Sequence, residues 1–262
     1  MYLYYIMQKV FNATTTESDM SRWFGARPSS AAHTRLFGFP YGGGSGSTAY
    51  RDWSKRAGAD VDVIPVNFPG RQARLNEPPV TSMTLLMQTL AAEVEPLLDR
   101  PFALAGQSVG AFVALELART LAARGFEPAH LFVIAAPAPH LPSDADGLGS
   151  AQDDVLIAHL RRLNGTPPGV LADPMLRSLF LPAIRADFQL RDSWEVRIDP
   201  PLRCGISVFG GLDDIFITEP ALDAWQSFTR GPFTRRMFAG DHFFHVPRRD
   251  EVVAAIVDVL AA

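Results

Sequence analysis

A serine enclosed by two glycines is the first feature of the chain that could carry chemistry. The stretch GQSVG runs from Gly106 to Gly110, after a short apolar run and before a helix-forming run. Such a serine between a strand and a helix is typical of a sharp turn that lifts the hydroxyl clear of a sheet. Side chains at the two glycine positions would clash in that turn. Ser108 is therefore our candidate nucleophile.

A nucleophilic serine needs a base, and two histidines near the end of the chain are candidates for that role. They are His242 and His245 in the stretch GDHFFH. We predict that His242 is the base, because it follows the last predicted strand in a loop; His245 is the alternative. The His-x-x-His spacing resembles half a metal site, but it lacks helical i,i+4 spacing and a clear third ligand. We therefore expect no metal.

Two adjacent aspartates follow the penultimate predicted strand, where the acid of a serine hydrolase belongs in the chain order serine, acid, histidine. Either Asp213 or Asp214 could hold the imidazole tautomer and stabilise its charged form. The other would be a turn aspartate that caps its own backbone. Their position after the strand leaves this choice open. Asp241 adjoins His242 in sequence and is badly placed to orient it.

A negatively charged reaction intermediate would need two backbone N–H groups as an oxyanion hole. The residue after the nucleophile, Val109, is the expected first donor. The second donor comes from the loop after an early strand, which here reads FPYGGGSGSTAY. We favour Gly42, with Tyr41 as the alternative. The loop has no Gly-Lys-Ser/Thr sequence, which excludes a phosphate-binding P-loop.

Short apolar runs alternate with longer amphipathic runs along the chain, and this rhythm must position the candidate residues. Strands alternating with helices predict an α/β fold with a mostly parallel central sheet covered on both faces. The predicted strands are 35–40, 61–69, 101–107, 130–139, 204–211 and 233–240, and the predicted helices are 81–99, 109–125, 219–229 and 248–262.

One segment interrupts the alternation of strands and helices. Residues of about 140–200 show helical patterns and no strand, and an insertion of about 60 residues in an α/β core is often a lid over an active site. We therefore predict one domain, 31–262, with a helical lid at about 140–200 and a flexible extension at 1–30. Apolar lid residues could line an acyl chamber, although such stripes often only pack helices; they are Leu156, Leu160, Leu179, Phe180, Ile184 and Phe188.

Composition restricts the partners of the 262-residue chain. A net charge of −4 does not indicate nucleic-acid or membrane binding. No apolar run reaches the roughly 18 residues of a membrane span, and the first residues do not resemble a signal peptide. The one cysteine, Cys204, excludes a disulfide within the chain and fits a reducing compartment. We expect a cytoplasmic monomer.

Four ordered blocks resemble the type II thioesterases of polyketide and nonribosomal peptide assembly lines. They are LFGFPYGGGSGSTAYRDW, VNFPGRQARLNEPPVTSM, LAGQSVGAFVALELA and GDHFFH, and the resemblance runs from about Arg22 to the end of the chain. It implies an α/β-hydrolase fold with a helical lid. It also implies hydrolysis of acyl groups from phosphopantetheine arms of acyl or peptidyl carrier proteins, with no cofactor of the enzyme's own.

The resemblance also assigns site residues in this chain. The family's nucleophile corresponds to Ser108 and its base to His242. Its acid lies three residues after the glycine that ends the strand, which selects Asp213 when the count starts at Gly210.

This chain departs from the family pattern in two places. Tyr41-Gly42 replaces the usual His-Ala, and Asp241 replaces a glycine. Rival functions are a carboxylesterase, an acyltransferase or cyclase, and an inactive binding protein on the same scaffold. Carrier proteins are commonly acidic, so arginines near the entrance could steer docking; the candidates are Arg71, Arg74, Arg161 and Arg162.

Overall fold

A single sheet of six parallel strands organises the part of the chain that the computed structural model describes, residues 22–24 and 28–262. The strands lie in the order β2-β1-β3-β4-β5-β6, and all neighbouring pairs are parallel. They are β1 (Thr34–Phe39), β2 (Val61–Pro65), β3 (Phe102–Gln107), β4 (His130–Ile134), β5 (Gly205–Gly211) and β6 (Phe233–Phe238).

Helices connect these strands and cover both faces of the sheet, as parallel strand pairs require. They are α1 (Gly46–Ala49), α2 (Trp53–Ala57), α3 (Met83–Val94), α4 (Val109–Ala123), α5 (Asp153–Leu163), α6 (Pro168–Ala172), α7 (Pro174–Asp192), α8 (Glu219–Asp223) and α9 (Arg249–Leu260). Ser82 caps α3 and Asp173 caps α7, each by accepting backbone N–H groups of the first turn.

Burial within the sheet confirms the predicted fold class. Every residue of β1, β3 and β5 is buried. Strands buried on both faces are continuous apolar runs rather than alternating patterns, because helices cover both sides. The apolar runs of the sequence therefore correspond to real strands.

Several elements differ from their predicted bounds, and the end of the helix predicted at 81–99 has a local cause. The predicted helix 81–99 ends at Val94 and continues as a 3₁₀ turn, Glu95–Leu97. Pro96 has no N–H for the next helical bond, so an α-helix cannot continue there unchanged. The segment after the glycine-rich loop contains the short helices α1 and α2, which the sequence analysis left unassigned.

The lid lies where the interruption of the alternation placed it, between β4 and β5. Its helices α5, α6 and α7 enclose a small apolar core of their own. That core consists of Leu148, Leu156, Ile157, Leu160, Leu171, Leu181, Ile184 and Phe188.

The predicted flexible extension, 1–30, falls mostly outside the described residues, which omit 1–21 and 25–27. Of the described part, Trp23 and Phe24 are buried, and Phe24 forms an antiparallel bridge with Val66. These two residues belong to the core rather than to a loose tail. Within the described ranges, no helix has the length and apolar character to cross a membrane.

Candidate active site

Ser108 occupies the sharp turn that its flanking glycines predicted. Its φ of 52° and ψ of −119° are unusual for a residue with a side chain. A Cβ on Gly106 would lie 2.3 Å from the carbonyl oxygen of Gly110, and one on Gly110 would lie 2.3 Å from that of Phe39. Only glycine fits at both positions, so the steric reason given for the pattern is confirmed.

His242 is oriented by Asp214, not by Asp213. The Nδ1 atom of His242 lies 2.9 Å from Oδ2 of Asp214, whose side chain is 1% exposed. The Oδ1 atom of Asp214 accepts the N–H of Phe216 at 2.9 Å, so both carboxylate oxygens are held. The carboxylate therefore fixes the Nδ1–H tautomer and leaves Nε2 of His242 free to act as a base.

The choice of Asp213 was wrong because the count began at Gly210 and not at the glycine that ends the strand. β5 continues through Gly211, so three residues after its last glycine is Asp214. Asp213 is exposed, and its backbone N–H donates to the carbonyl of Gly240 at 2.9 Å. Gly211 allows this close approach, since a Cβ there would lie 2.4 Å from the carbonyl oxygen of Asp241.

Asp241 itself has a structural role in the histidine loop. Its Oδ1 atom accepts the backbone N–H of Phe243 at 2.9 Å, in the manner of a turn aspartate. Its Oδ2 atom lies 3.5 Å from Nδ2 of Asn164 in the lid. The family's glycine is thus replaced by a side chain that caps the loop carrying the histidine.

Ser108 and His242 line one cavity, which has a volume of about 50 Å³. By the usual measure this holds a few water molecules or a short acyl group. Most of its wall is apolar and comes from the sheet edge, α4 and the lid. The lining includes Val109, Phe112, Ala135, Ala136, Pro137, Leu163, Phe188, Phe216 and Ile217.

The lid adds two basic side chains to this wall, His159 and Arg191. The pKa of His159 is lowered by burial and, to a smaller extent, by the positive charge of Arg162. Both effects favour the neutral imidazole. Arg191 is bound to Asp146, with 2.5 Å between Nη2 and Oδ1. The chamber thus carries polar atoms on its lid side in an otherwise apolar wall.

Only one of the six predicted apolar chamber residues lines the cavity. Phe188 does so, whereas Leu156, Leu160, Phe180 and Ile184 pack in or against the lid's own core. Leu179 is 37% exposed. The stripes mainly pack helix against helix, because three short helices can stabilise one another only by burying their apolar faces.

The backbone around Gly42 suits its predicted role as an oxyanion donor. The N–H of Gly44 donates to the carbonyl of Tyr41 at 2.8 Å, which closes a turn with Gly42 at its second position. A Cβ on Gly42 would lie 3.7 Å from Cγ2 of Val109, so the two predicted donors are neighbours. Val109 is the first residue of α4, and the first N–H groups of a helix have no partner within it.

His245 lies behind the site rather than in it. It is buried among the rings of Tyr41, Phe243 and Phe244, and neither ring nitrogen makes a hydrogen bond within the described part of the chain. Burial lowers its pKa to about 3. The cavity that holds Ser108 is lined by His242, so the alternative base has no geometric support.

The sequence analysis missed a buried ion pair between the lid and the glycine-rich loop. Arg71 and Asp187 form a bidentate pair with N–O distances of 2.6 and 2.7 Å, and their side chains are 7% and 3% exposed. The sequence contained a signal for this pair. Asp187 shares a helical face with the apolar residues Ile184 and Phe188, and a charged residue on a buried face needs a partner. Arg71 cannot steer docking from this position, and Arg74 is likewise buried, against Glu77.

Residues 34–260 match the thioesterase domain family. The chain belongs to this family. It is 38% identical over 238 residues to the gramicidin S biosynthesis protein GrsT of Aneurinibacillus migulanus, a match that covers 90% of this chain and 93% of that relative.

Solved thioesterase structures are also similar to this chain. The type II thioesterase BorB from the borrelidin biosynthetic cluster superposes with a TM-score of 0.82 at 35% identity, covering 94% of this chain and all of BorB. RedJ, from the prodiginine pathway of Streptomyces coelicolor, gives a TM-score of 0.81 at 36% identity, with coverage of 87% and 91%. The expected α/β-hydrolase fold is therefore confirmed.

Proposed function

We propose that this thioesterase is an editing enzyme that hydrolyses acyl thioesters on the phosphopantetheine arms of acyl or peptidyl carrier proteins. We place it in polyketide or nonribosomal peptide biosynthesis; the similar proteins GrsT, BorB and RedJ come from the biosynthesis of gramicidin S, borrelidin and prodiginine. The observation that carries the mechanism is that one cavity is lined both by a serine in a strained turn and by a histidine held by a buried carboxylate. Both face a small, largely apolar cavity.

The reaction proceeds by acyl transfer in two steps. Nε2 of His242 takes the proton of the Ser108 hydroxyl while Oγ attacks the thioester carbon. Asp214 stabilises the imidazolium that forms. The N–H groups of Gly42 and Val109 donate to the resulting oxyanion, and loss of one such donor typically costs about 10²–10³ in rate. The C–S bond then breaks, and the proton on His242 goes to the leaving sulfur.

Hydrolysis of the acyl-enzyme uses the same groups in reverse order. His242 takes a proton from water while the water oxygen attacks the acyl carbon. When the bond from the acyl carbon to Oγ of Ser108 breaks, His242 returns the proton to Oγ. A thiol with an ordinary pKa near 8.5 leaves more readily than an alcohol. The site therefore needs less help from a general acid for a thioester than for an oxygen ester.

No metal or organic cofactor takes part in this scheme, since the acyl group arrives on the carrier protein's own pantetheine arm. We also propose that the enzyme acts as a monomer in the cytoplasm. The single cysteine fits that compartment, because Cys204 is buried and has no partner for a disulfide within the chain.

The decisive experiment compares the wild type with Ser108→Ala on carrier proteins loaded with acetyl, propionyl, butyryl and octanoyl groups. Mass spectrometry follows the loss of acyl from the pantetheine arm. We expect release by the wild type and a loss of roughly 10⁴–10⁶ in kcat for the variant. An unchanged melting temperature would show that the alanine variant is folded.

Other outcomes point to the rival functions. Ser108-dependent hydrolysis of small oxygen esters without release from any carrier protein would indicate a carboxylesterase. Transfer of the acyl group to an alcohol or amine, identified by the mass of the product, would indicate an acyltransferase or cyclase. Equal release by both proteins would contradict the serine mechanism.

A further inference from the structure

The lid carboxylate of Asp187 contacts the loop that carries the predicted oxyanion donor. Its Oδ2 atom accepts the backbone N–H of Gly43 at 2.7 Å. Gly43 directly follows Gly42 and has a φ of +74°. Asp187 belongs to α7 and lies 144 residues after Gly43 in the sequence. This contact therefore exists only because the lid packs onto the loop.

Arg71 binds the same loop and the same carboxylate. Nη1 of Arg71 donates to Oδ2 of Asp187 at 2.6 Å and to the carbonyl of Gly44 at 3.1 Å, while Nη2 donates to Oδ1 of Asp187 at 2.7 Å. The ion pair therefore holds one N–H and one C=O of the two consecutive glycines. We call Arg71 and Asp187 the loop clamp.

These contacts restrict the peptide that presents the oxyanion donor. The turn from Tyr41 to Gly44 is closed by its own hydrogen bond, and its middle N–H, that of Gly43, is held by Asp187. Because peptide units are planar, fixing this N–H also fixes the neighbouring carbonyl of Gly42. The peptide between Tyr41 and Gly42, whose N–H is the proposed donor, is held through the Tyr41 carbonyl by the turn's own hydrogen bond. Both peptides that flank Gly42 are therefore held.

Stability alone gives no good reason for this ion pair. Removing two charges from water costs several kcal/mol, and buried pairs can often be replaced by apolar side chains with no loss of stability. Charge-assisted hydrogen bonds are short and directional, however, so a buried pair can hold a backbone segment in one geometry. The clamp touches the loop that must be placed within a fraction of an ångström for catalysis.

We propose that Asp187, supported by Arg71, is a positioning residue that orients the loop donating the Gly42 N–H to the oxyanion. The inference rests on the proposed function, since it takes Gly42 as a donor to the tetrahedral intermediate. The lid is then part of the catalytic geometry, because α7 supplies the acceptor that holds the loop.

The test measures kcat and KM of Asp187→Asn and Arg71→Met with p-nitrophenyl acetate and with an acetylated carrier protein. We expect kcat to fall by about 10- to 100-fold, less than the roughly 10²–10³ for complete loss of one oxyanion donor because the donor is misplaced and not removed. KM should change by less than about threefold. The inhibition constant of an alkyl trifluoromethyl ketone, which forms a tetrahedral adduct on Ser108, should rise by the same factor as kcat falls. A role in folding alone would not move this constant.

Arg74→Met is the matched control. Arg74 is 8% exposed and pairs with Glu77 at 2.6 Å in the same segment as Arg71, but it donates to the carbonyl of Asn67 and not to the glycine loop. We expect a comparable decrease in melting temperature, with kcat and the inhibition constant within about threefold of the wild type.

The double variant Arg71→Met/Asp187→Leu distinguishes an effect on the position of the loop from an effect on the stability of the fold. It replaces the buried charges with an apolar pair, so its melting temperature should stay near that of the wild type. Its kcat should remain low, because Gly43 still lacks its acceptor. Wild-type kcat and ketone binding in this folded variant would overturn the proposal.

The two substrates distinguish failure of this inference from failure of the proposed function. Ester hydrolysis needs the oxyanion hole but no carrier protein. If the wild type hydrolyses the ester but not the acyl carrier protein, the substrate assignment is contradicted. The loop clamp would still be supported if its variants hydrolyse the ester more slowly. Full activity of the clamp variants on both substrates would contradict the clamp alone.

Discussion

The edge of the sheet and the lid build the same cavity in different ways. At the carboxyl end of the sheet, each candidate catalytic side chain lies within four residues of the end of a strand: Ser108 after β3, Asp214 after β5 and His242 after β6. In the lid, helices α5 to α7 first pack against one another, and only a few of their side chains reach the cavity. The candidate catalytic groups thus lie in turns at the ends of strands, whereas the lid lines the cavity and contacts the glycine-rich loop.

The largest effect that sharpens this comparison concerns the two adjacent aspartates after β5. Asp214→Asn should lower kcat by about 10⁴, because the amide no longer stabilises the imidazolium and favours the wrong tautomer. Asp213→Asn, which changes an exposed side chain one residue away, should leave kcat within about threefold. Steady-state kinetics on an acyl carrier protein measures both.

The reverse ranking of the two variants would mean that Asp213 orients His242 in solution. Equal and small effects would mean that the sheet edge tolerates loss of the acid. Either result would contradict the assignment of different roles to the buried carboxylate of Asp214 and the exposed one of Asp213.

Within the lid, variants of Leu156 and Phe188 distinguish a residue that only packs the lid core from one that also lines the cavity. Leu156 is fully buried in the lid core, so Leu156→Ala should reduce the free energy of unfolding by about 2–5 kcal/mol, with the preference among acyl groups unchanged. Phe188→Ala enlarges the chamber. The ratio of kcat/KM for octanoyl over acetyl carrier protein should then rise by at least about tenfold, since each methylene is worth about 1–3 kcal/mol in an apolar pocket.

Chemical denaturation and an acyl-chain panel check these expectations. A changed chain-length preference in Leu156→Ala would show that the lid core and the chamber wall are not separate. An unchanged preference in Phe188→Ala would remove Phe188 from the acyl chamber.

The smallest expected effect is a pH dependence of the free energy of unfolding, caused by His245 behind the site. The folded state keeps His245 neutral with a pKa of about 3, far below the ordinary value near 6.5. Its contribution to stability is complete above pH 6.5 and is lost as the pH falls toward 3, because the unfolded chain binds the proton first. Between pH 7 and pH 5 this one group should lower the free energy of unfolding by roughly 2 kcal/mol.

Urea denaturation of the wild type and His245→Phe at pH 7, 6 and 5 measures this contribution. The variant should lose less stability on acidification by roughly that amount, whatever its stability at pH 7. His130, whose pKa burial lowers to about 4, contributes to both proteins alike. Parallel pH curves would contradict the assignment to His245.

The sequence determined the fold class and the chemistry, because both depend on local patterns. Continuous apolar runs between amphipathic helices predict a covered parallel sheet, and two glycines around Ser108 predict a turn that no larger residue could enter. His242 follows from its place after the last strand. These features need only neighbouring residues and the known order of elements.

Tertiary structure decided what depends on the path of a turn or on contacts between distant segments. Whether Asp213 or Asp214 meets His242 depends on how the turn after β5 directs their side chains, which their adjacent positions in the sequence left open. The pairing of Asp187 with Arg71 and Gly43 joins three segments that helical periodicity treats separately. Periodicity predicts which face of a helix is buried, whereas only the packed structure determines which partner covers it.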